Sequence, residues 1–192
     1  MSDYVNDSLD QKLTAMMQNR AAYKRNLAEV EADDNLSSTG KHEAAVELHQ
    51  KATTRHEQLR AAYDVEVEET REALRKAAFA PQFGAFHDQA AKVATRAHYS
   101  AAMERASSMD AGELRAALER ALRAEDEVAA RAIAHVAWEK GAGRVLEAYM
   151  ERDKGGDLRR LYAFENRYGD RRPAQRKFEH KLAFSWPEWP SF

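Results

Sequence analysis

For eighty residues this chain gives a helix almost nothing to stop at. Residues 1–80 contain no proline and one glycine, Gly40, the two residue types that most often break or end helices. Within that stretch Leu9, Leu13, Met16, Arg20, Tyr23, Leu27 and Val30 step by 4, 3, 4, 3, 4 and 3. This is the a/d seam of a heptad, interrupted by one charge at Arg20. Ser8 is placed to cap its start, with Gln11 three residues on. The run from Asp33 to Gly40 is rich in turn formers. A second helical pattern follows from Lys41 to Phe79. Ala45, Leu48, Ala52, Leu59, Tyr63, Val67, Thr70, Leu74 and Ala77 recur there, and from Leu48 to Ala77 their mean spacing is close to 3.6 once the turn skipped between Ala52 and Leu59 is counted, less strictly heptad than the first.

Two long helices joined by a short loop predict an antiparallel coiled-coil helical hairpin over residues 1–80. Seams of this kind continue readily into a second chain. Leu9, Leu13, Met16, Tyr23, Leu27 and Val30, with Leu48, Leu59, Tyr63, Val67 and Leu74, are therefore the expected oligomer seam.

Pro81 and the Gln82-Phe83-Gly84 that follows it mark a boundary. Residues 86–106 are dense in alanine, which lets helices approach closely. Asp110 and Glu113 form a cap pair ahead of Leu114, Leu118 and Leu122. Val128, Ile133 and Val136 continue a helical period that Gly141 and Gly143 interrupt. Residues 81–156 are expected to form a compact helical bundle. Residues 157–192 are expected to be a basic helix and an extended docking tail. No β-alternation of useful length occurs, so the expected fold class is all-α.

The C-terminus repeats a short pattern, Trp186-Pro187-Glu188 then Trp189-Pro190-Ser191, before Phe192. Proline fixes its own φ and pushes the preceding residue toward extended geometry. At three residues per polyproline II turn, Trp186, Trp189 and Phe192 share one face. Such a face needs a surface to cover it, so Phe184, Trp186, Pro187, Trp189, Pro190 and Phe192 are the candidate partner-docking residues. They follow a basic stretch. Residues 157–183 carry eight Lys/Arg against four acids, a net +4, while residues 1–156 carry 22 against 27, a net -5. Arg159, Arg160, Arg167, Arg171, Arg172, Arg176 and Lys177 are interleaved with Tyr162, Phe164 and Phe178, a composition that suits a nucleic-acid surface. A net +4 is modest for that role, and the same aromatics equally suit the apolar stripe of a packed helix.

Chemistry is sparse. Cysteine is absent, which removes disulfides, thiol nucleophiles and cysteine metal sites. His42, His49 and His56 recur every seven residues and form one stripe on a helix. Chelation within one helix favours i,i+4 spacing, so three solvated flank positions are the expectation. His135 and Glu139 are one i,i+4 pair, short of the two Glu-x-x-His pairs of a di-iron bundle. Lys140-Gly141-Ala142-Gly143-Arg144 lacks the preceding strand and third glycine of a phosphate loop. No enzyme, cofactor or metal is expected. No apolar run reaches the ~18 residues of a spanning helix, and residues 1–4 lack the basic and apolar regions of a signal peptide. The expected setting is the cytoplasm or the interior of a virion, without export by a signal peptide or membrane association.

This order of segments resembles that of helical assembly proteins, phage scaffolding and virion structural proteins among them. The resemblance is one of architecture and involves no diagnostic residue. It implies a non-enzymatic structural or assembly protein, such as a virion or head-assembly component. Such a protein would oligomerise through its coiled-coil helices and dock by its C-terminal tail. Its partners would be further copies or another structural protein. The alternative is a nucleic-acid-associated helical protein using residues 159–181.

Overall fold

Asn6, not Ser8, begins the first helix. Its side-chain oxygen accepts from the backbone N–H of Ser8 and Leu9, which satisfies two donors that the first turn leaves open. Ser8 lies inside the helix, and its hydroxyl donates to Glu66 instead. The computed structural model describes residues 6–83, 88–152, 156–169 and 173–187. They form helices α1 (Asp7–Ala32), α2 (Ser38–Phe79), α3 (Gln89–Ser107), α4 (Ala111–Arg123), α5 (Glu127–Glu139), α6 (Gly143–Met150), α7 (Asp157–Arg167) and α8 (Ala174–Phe184). The described residues contain no strand, so the fold is all-helical. None of the described helices is long and apolar enough to cross a membrane.

The chain divides into two compact units: residues 71–162, and residues up to Thr70 together with those from Ala163 onward. This division differs from the three segments drawn from the sequence. The end of α2 and the start of α7 join the bundle, and residues 163 onward join α1 and α2. The reason is burial. α2 runs unbroken to Phe79, two residues before Pro81, so its last turns supply Leu74, Ala78 and Phe79 to the bundle core. α7 supplies Leu158 and Leu161 to that same core.

The bundle unit is built around α5. Ala129, Ala130, Ala132, Ile133, Ala134, Val136 and Ala137 are all buried, and their small side chains let α3, α4 and α6 pack closely on it. The Asp110–Glu113 pair does form a reciprocal capping box at the start of α4. Two helix ends here use the same device. After α5, Ala142 N donates to Ala137 O and Gly141 N to Trp138 O, with Gly141 at φ 67°. After α4, Asp126 N donates to Ala121 O and Glu125 N to Leu122 O, with Glu125 at φ 55°. Both are Schellman turns, and the second places a side-chain residue where glycine is favoured.

In the other unit, α1 turns Leu9, Met16 and Tyr23 inward. Along α2, Ala45, Ala52, His56, Tyr63 and Val67 are buried. Lys12 pairs with Glu66, the Asn19 amide donates to Ala52 O at 2.8 Å, and Lys41 donates to Glu31 O at 2.7 Å. These pairings run in opposite directions along the two helices. Of the expected oligomer seam, Leu9, Met16, Tyr23, Tyr63 and Val67 are buried within the single chain. Leu13, Leu27, Val30, Leu48, Leu59 and Leu74 are half-buried. α8 packs closely on α1. It is a helix of 11 residues and includes Phe184, which the sequence placed in an extended tail.

Candidate functional site

The heptad of α1 has one flaw, Arg20, and it lies against the end of α8. Its guanidinium Nη1 donates to Leu182 O at 3.0 Å and to Ser185 Oγ at 2.8 Å. The last carbonyls of a helix have no partner within the helix and carry its negative dipole end. Arg20 therefore acts as a cap supplied from a neighbouring helix. Ser185 is the C-cap residue, its N–H donating to Lys181 O. Its own backbone is extended, at φ -75° and ψ 131°.

α2 explains the rest of the seating. The positions Ala45, His49, Ala52, His56, Leu59 and Tyr63 step by 4, 3, 4, 3 and 4. The histidines thus occupy alternate positions of a strict heptad, which the sequence reading missed because it followed apolar residues alone. The expectation of three solvated flank positions holds for His42, which is exposed, and fails for the other two. His49 is half-buried, its Nδ1 hydrogen-bonded to the Tyr23 hydroxyl at 3.0 Å. His56 is 5% exposed.

What covers them is the start of the C-terminal segment. The indole of Trp186 lies 4.8 Å from the His56 ring, 5.3 Å from Tyr23 and 6.3 Å from His49, centroid to centroid. One turn away, Phe184 stacks on His180 at 4.1 Å and meets Tyr63 edge-on at 5.3 Å. The Arg60 guanidinium sits 5.3 Å over the Phe184 ring, a cation–π contact. Seven rings from α1, α2, α8 and the residues after it thus lie together within one unit.

The cluster is apolar by contact and polar by composition. The Trp186 indole N–H, both His56 ring nitrogens and the Thr53 hydroxyl are buried without a hydrogen-bond partner. Burial lowers the pKa of His56. The Phe184 backbone opposes this without good hydrogen-bond geometry, while Arg60 and Arg20 add to the lowering and Glu57 opposes it. The neutral imidazole is the form this site accepts. Burial also raises the Tyr23 phenol, assisted by Glu31.

A second tie fixes the other end of α1. The Tyr168 hydroxyl accepts from Asn6 N at 3.0 Å and from Arg167 Nε at 2.9 Å, and lies 2.9 Å from Asp10 Oδ1. Arg167 also pairs with Asp10, which holds its guanidinium above its usual range. Gly169 is required at this turn. A Cβ there would overlap the Glu165 carboxylate and come within 2.8 Å of the Glu165 Cα.

Among the docking candidates, Pro187 is half-buried beside Trp186. Trp189, Pro190 and Phe192 lie outside the described residues, so the shared aromatic face does too. Four of the basic candidates are engaged locally. Arg159 donates to Met150 O at 2.5 Å, Arg160 pairs with Asp157 and Arg176 with Glu179, and Arg167 is held by Asp10. Lys177 is exposed. Arg171 and Arg172 lie outside the described residues. In the bundle unit, His135 is hydrogen-bonded through Nδ1 to the Tyr99 hydroxyl at 2.9 Å and stacked on Phe79 at 4.9 Å. Burial lowers its pKa and pushes that of Tyr99 up to about 12. Gly141 and Gly143 lie at the break between α5 and α6, with no strand before them. No group of three or more His, Asp or Glu among the described residues is placed to hold a metal ion. No family model matches this chain, and neither a curated protein nor a solved structure does.

Proposed function

We propose that this chain is a non-enzymatic structural or assembly protein. In this reading α1 and α2 form an antiparallel coiled-coil hairpin whose groove is closed by the chain's own C-terminal segment. One observation carries it. Over the heptad stretches 9–30 and 45–63, the positions that depart from an apolar pattern, Arg20, His49 and His56, are the ones that touch Leu182, Ser185 and Trp186. A seam whose exceptions all serve one bound segment is adapted to holding that segment. The opposite sense of the Lys12–Glu66, Asn19–Ala52 and Lys41–Glu31 pairings supports the hairpin.

The clasp makes the unit a single building block, and the block self-associates. A virion or head-assembly component is the setting that this architecture suits. The test is the mass of the intact chain by light scattering and sedimentation across a wide concentration range. Oligomers that grow with concentration are expected. A strictly monomeric mass at high concentration overturns the self-association.

A further inference from the structure

α8 has two faces that the clasp separates cleanly. His180 and Phe184 point at Tyr63 of α2, and Ala183 is buried. Two residues along a helix is about 200° of rotation, so Phe178 and Leu182 lie on the opposite side. They are 67% and 42% exposed. At i,i+4 they form one apolar stripe. Lys177 and Lys181, also exposed, run along its flank with the same spacing. Gln175 and Glu179, also exposed, run along the other flank, with Glu179 paired to Arg176.

α2 carries the counterpart. Tyr63 faces α8, so Val65, two residues on, faces away, and it is 57% exposed. Ala61 and Ala62, one turn earlier, are exposed beside it. Glu57, Asp64, Glu68 and Glu69 are all exposed around this strip. Its apolar centre is shallow because its side chains are small, which suits the approach of a large ring. Its border is acidic where one flank of the α8 stripe carries Lys177 and Lys181.

We infer that the outward face of α8 in one copy docks on the outward face of α2 in the next copy. Phe178 and Leu182 rest on Ala61, Ala62 and Val65, while Lys177 and Lys181 meet Glu68 and Glu69. Charge complementarity selects this occupant. The stretch holding α8 is net +4 and the remainder of the chain up to residue 156 is net -5, so another copy supplies the matching surface. Position selects the mode. The two faces look in opposite directions from one unit, so a copy that donates α8 on one side accepts on the other. That contact is head-to-tail, which closes into a ring or runs on as a fibre. A single helix pair falls at or below the low end of stable interfaces, ~1,200 Å², so association is concentration-dependent and weakens with salt. The inference rests on the self-association proposed above and names its surface.

Charge reversal tests it, because every residue involved is exposed and its replacement leaves the core alone. K177E/K181E and E68K/E69K chains are each expected to lose self-association at least tenfold by sedimentation velocity, with unchanged helicity by circular dichroism. Mixed one to one, they are expected to re-associate, since each mutated face then meets its opposite. Phe178→Ala is expected to weaken association without any change in salt dependence. Reversed chains that associate as the wild type does overturn this surface while leaving self-association standing. Disruption by both reversals without recovery on mixing shows that these two faces do not meet, as capture of an anionic lipid or nucleic acid by α8 would give. A monomeric wild-type chain removes the self-association itself.

Discussion

Replacing Trp186 by alanine isolates what the clasp contributes. A tryptophan buries ~150–250 Å² when fully covered, and Trp186 is half-buried, so about 100 Å² is at stake. At ~25 cal/mol/Å² that is about 2.5 kcal/mol. The ring pairs with Tyr23 and His56 add about 1 kcal/mol beyond area. Against this stands the buried indole N–H without a partner, whose removal returns about 1–2 kcal/mol. The net loss is about 2 kcal/mol, close to thirtyfold in the opening equilibrium of the segment. The assay is amide hydrogen exchange at Ser185, whose N–H donates to Lys181 O. Its protection is expected to fall about thirtyfold in Trp186→Ala, with exchange in the bundle unit unchanged. Trp186→Phe keeps a ring in the site and deletes the N–H, so it is expected to protect Ser185 at least as well as the wild type. Equal damage from Phe and Ala would show that the indole N–H makes a necessary bond and would refute the argument. So would unchanged protection in Trp186→Ala.

Three further outcomes follow from the same geometry. Because burial depresses the pKa of His56, its stabilisation is complete above the unfolded histidine value of about 6.5 and is lost as pH falls below it. Ser185 protection is therefore expected to decline in acid by at most about 1.4 kcal/mol per pH unit. His56→Gln is expected to flatten the profile, and an unchanged profile in that variant would assign the effect elsewhere. Gly169→Ala drives a methyl into Glu165 and is expected to cost about 1–3 kcal/mol, as overpacking does, measured as a lower urea midpoint at constant m-value. Glu125→Gly relieves the left-handed residue at the end of α4 and is expected to stabilise by about 1 kcal/mol, raising Tm by roughly 2–4 °C in calorimetry.

What was legible in the sequence was whatever depends on period and punctuation. The all-helical fold, the capping box of α4 and the helix breaks near Gly40 and Gly141 can be read from short windows, because helices and their ends are set locally. The start of α1 was misplaced by two residues because Asn6 and Ser8 are both good caps. Phe184 was assigned to an extended tail because Pro187 follows it, yet proline constrains only the residue before it, and α8 ends two residues short of that limit. The site was harder to see. Arg20 registered as a fault in one heptad and the histidine stripe as a flank of another. Neither has a local reason to be there. The reason is a segment more than 120 residues further along the chain, and no window over α1 or α2 contains it.

That separation has a consequence for how the protein can associate. The residues best suited to a coiled-coil interface between chains, Leu9, Met16, Tyr23, Tyr63 and Val67, are already buried within one copy. Opening that seam for a partner would expose Trp186 and Phe184 and release the Arg20 cap on α8. A contact that leaves the clasp closed avoids this loss. It must then use faces that the clasp does not touch, and Phe178, the largest exposed apolar side chain among the described residues of this unit, lies on such a face. The clasp and the outward stripe are thus two sides of the same helix: seating His180 and Phe184 on Tyr63 is what turns Phe178 and Leu182 outward. A variant that frees the clasp should therefore weaken assembly as well, since an α8 no longer held on α2 pays the entropy of being ordered again before it can dock.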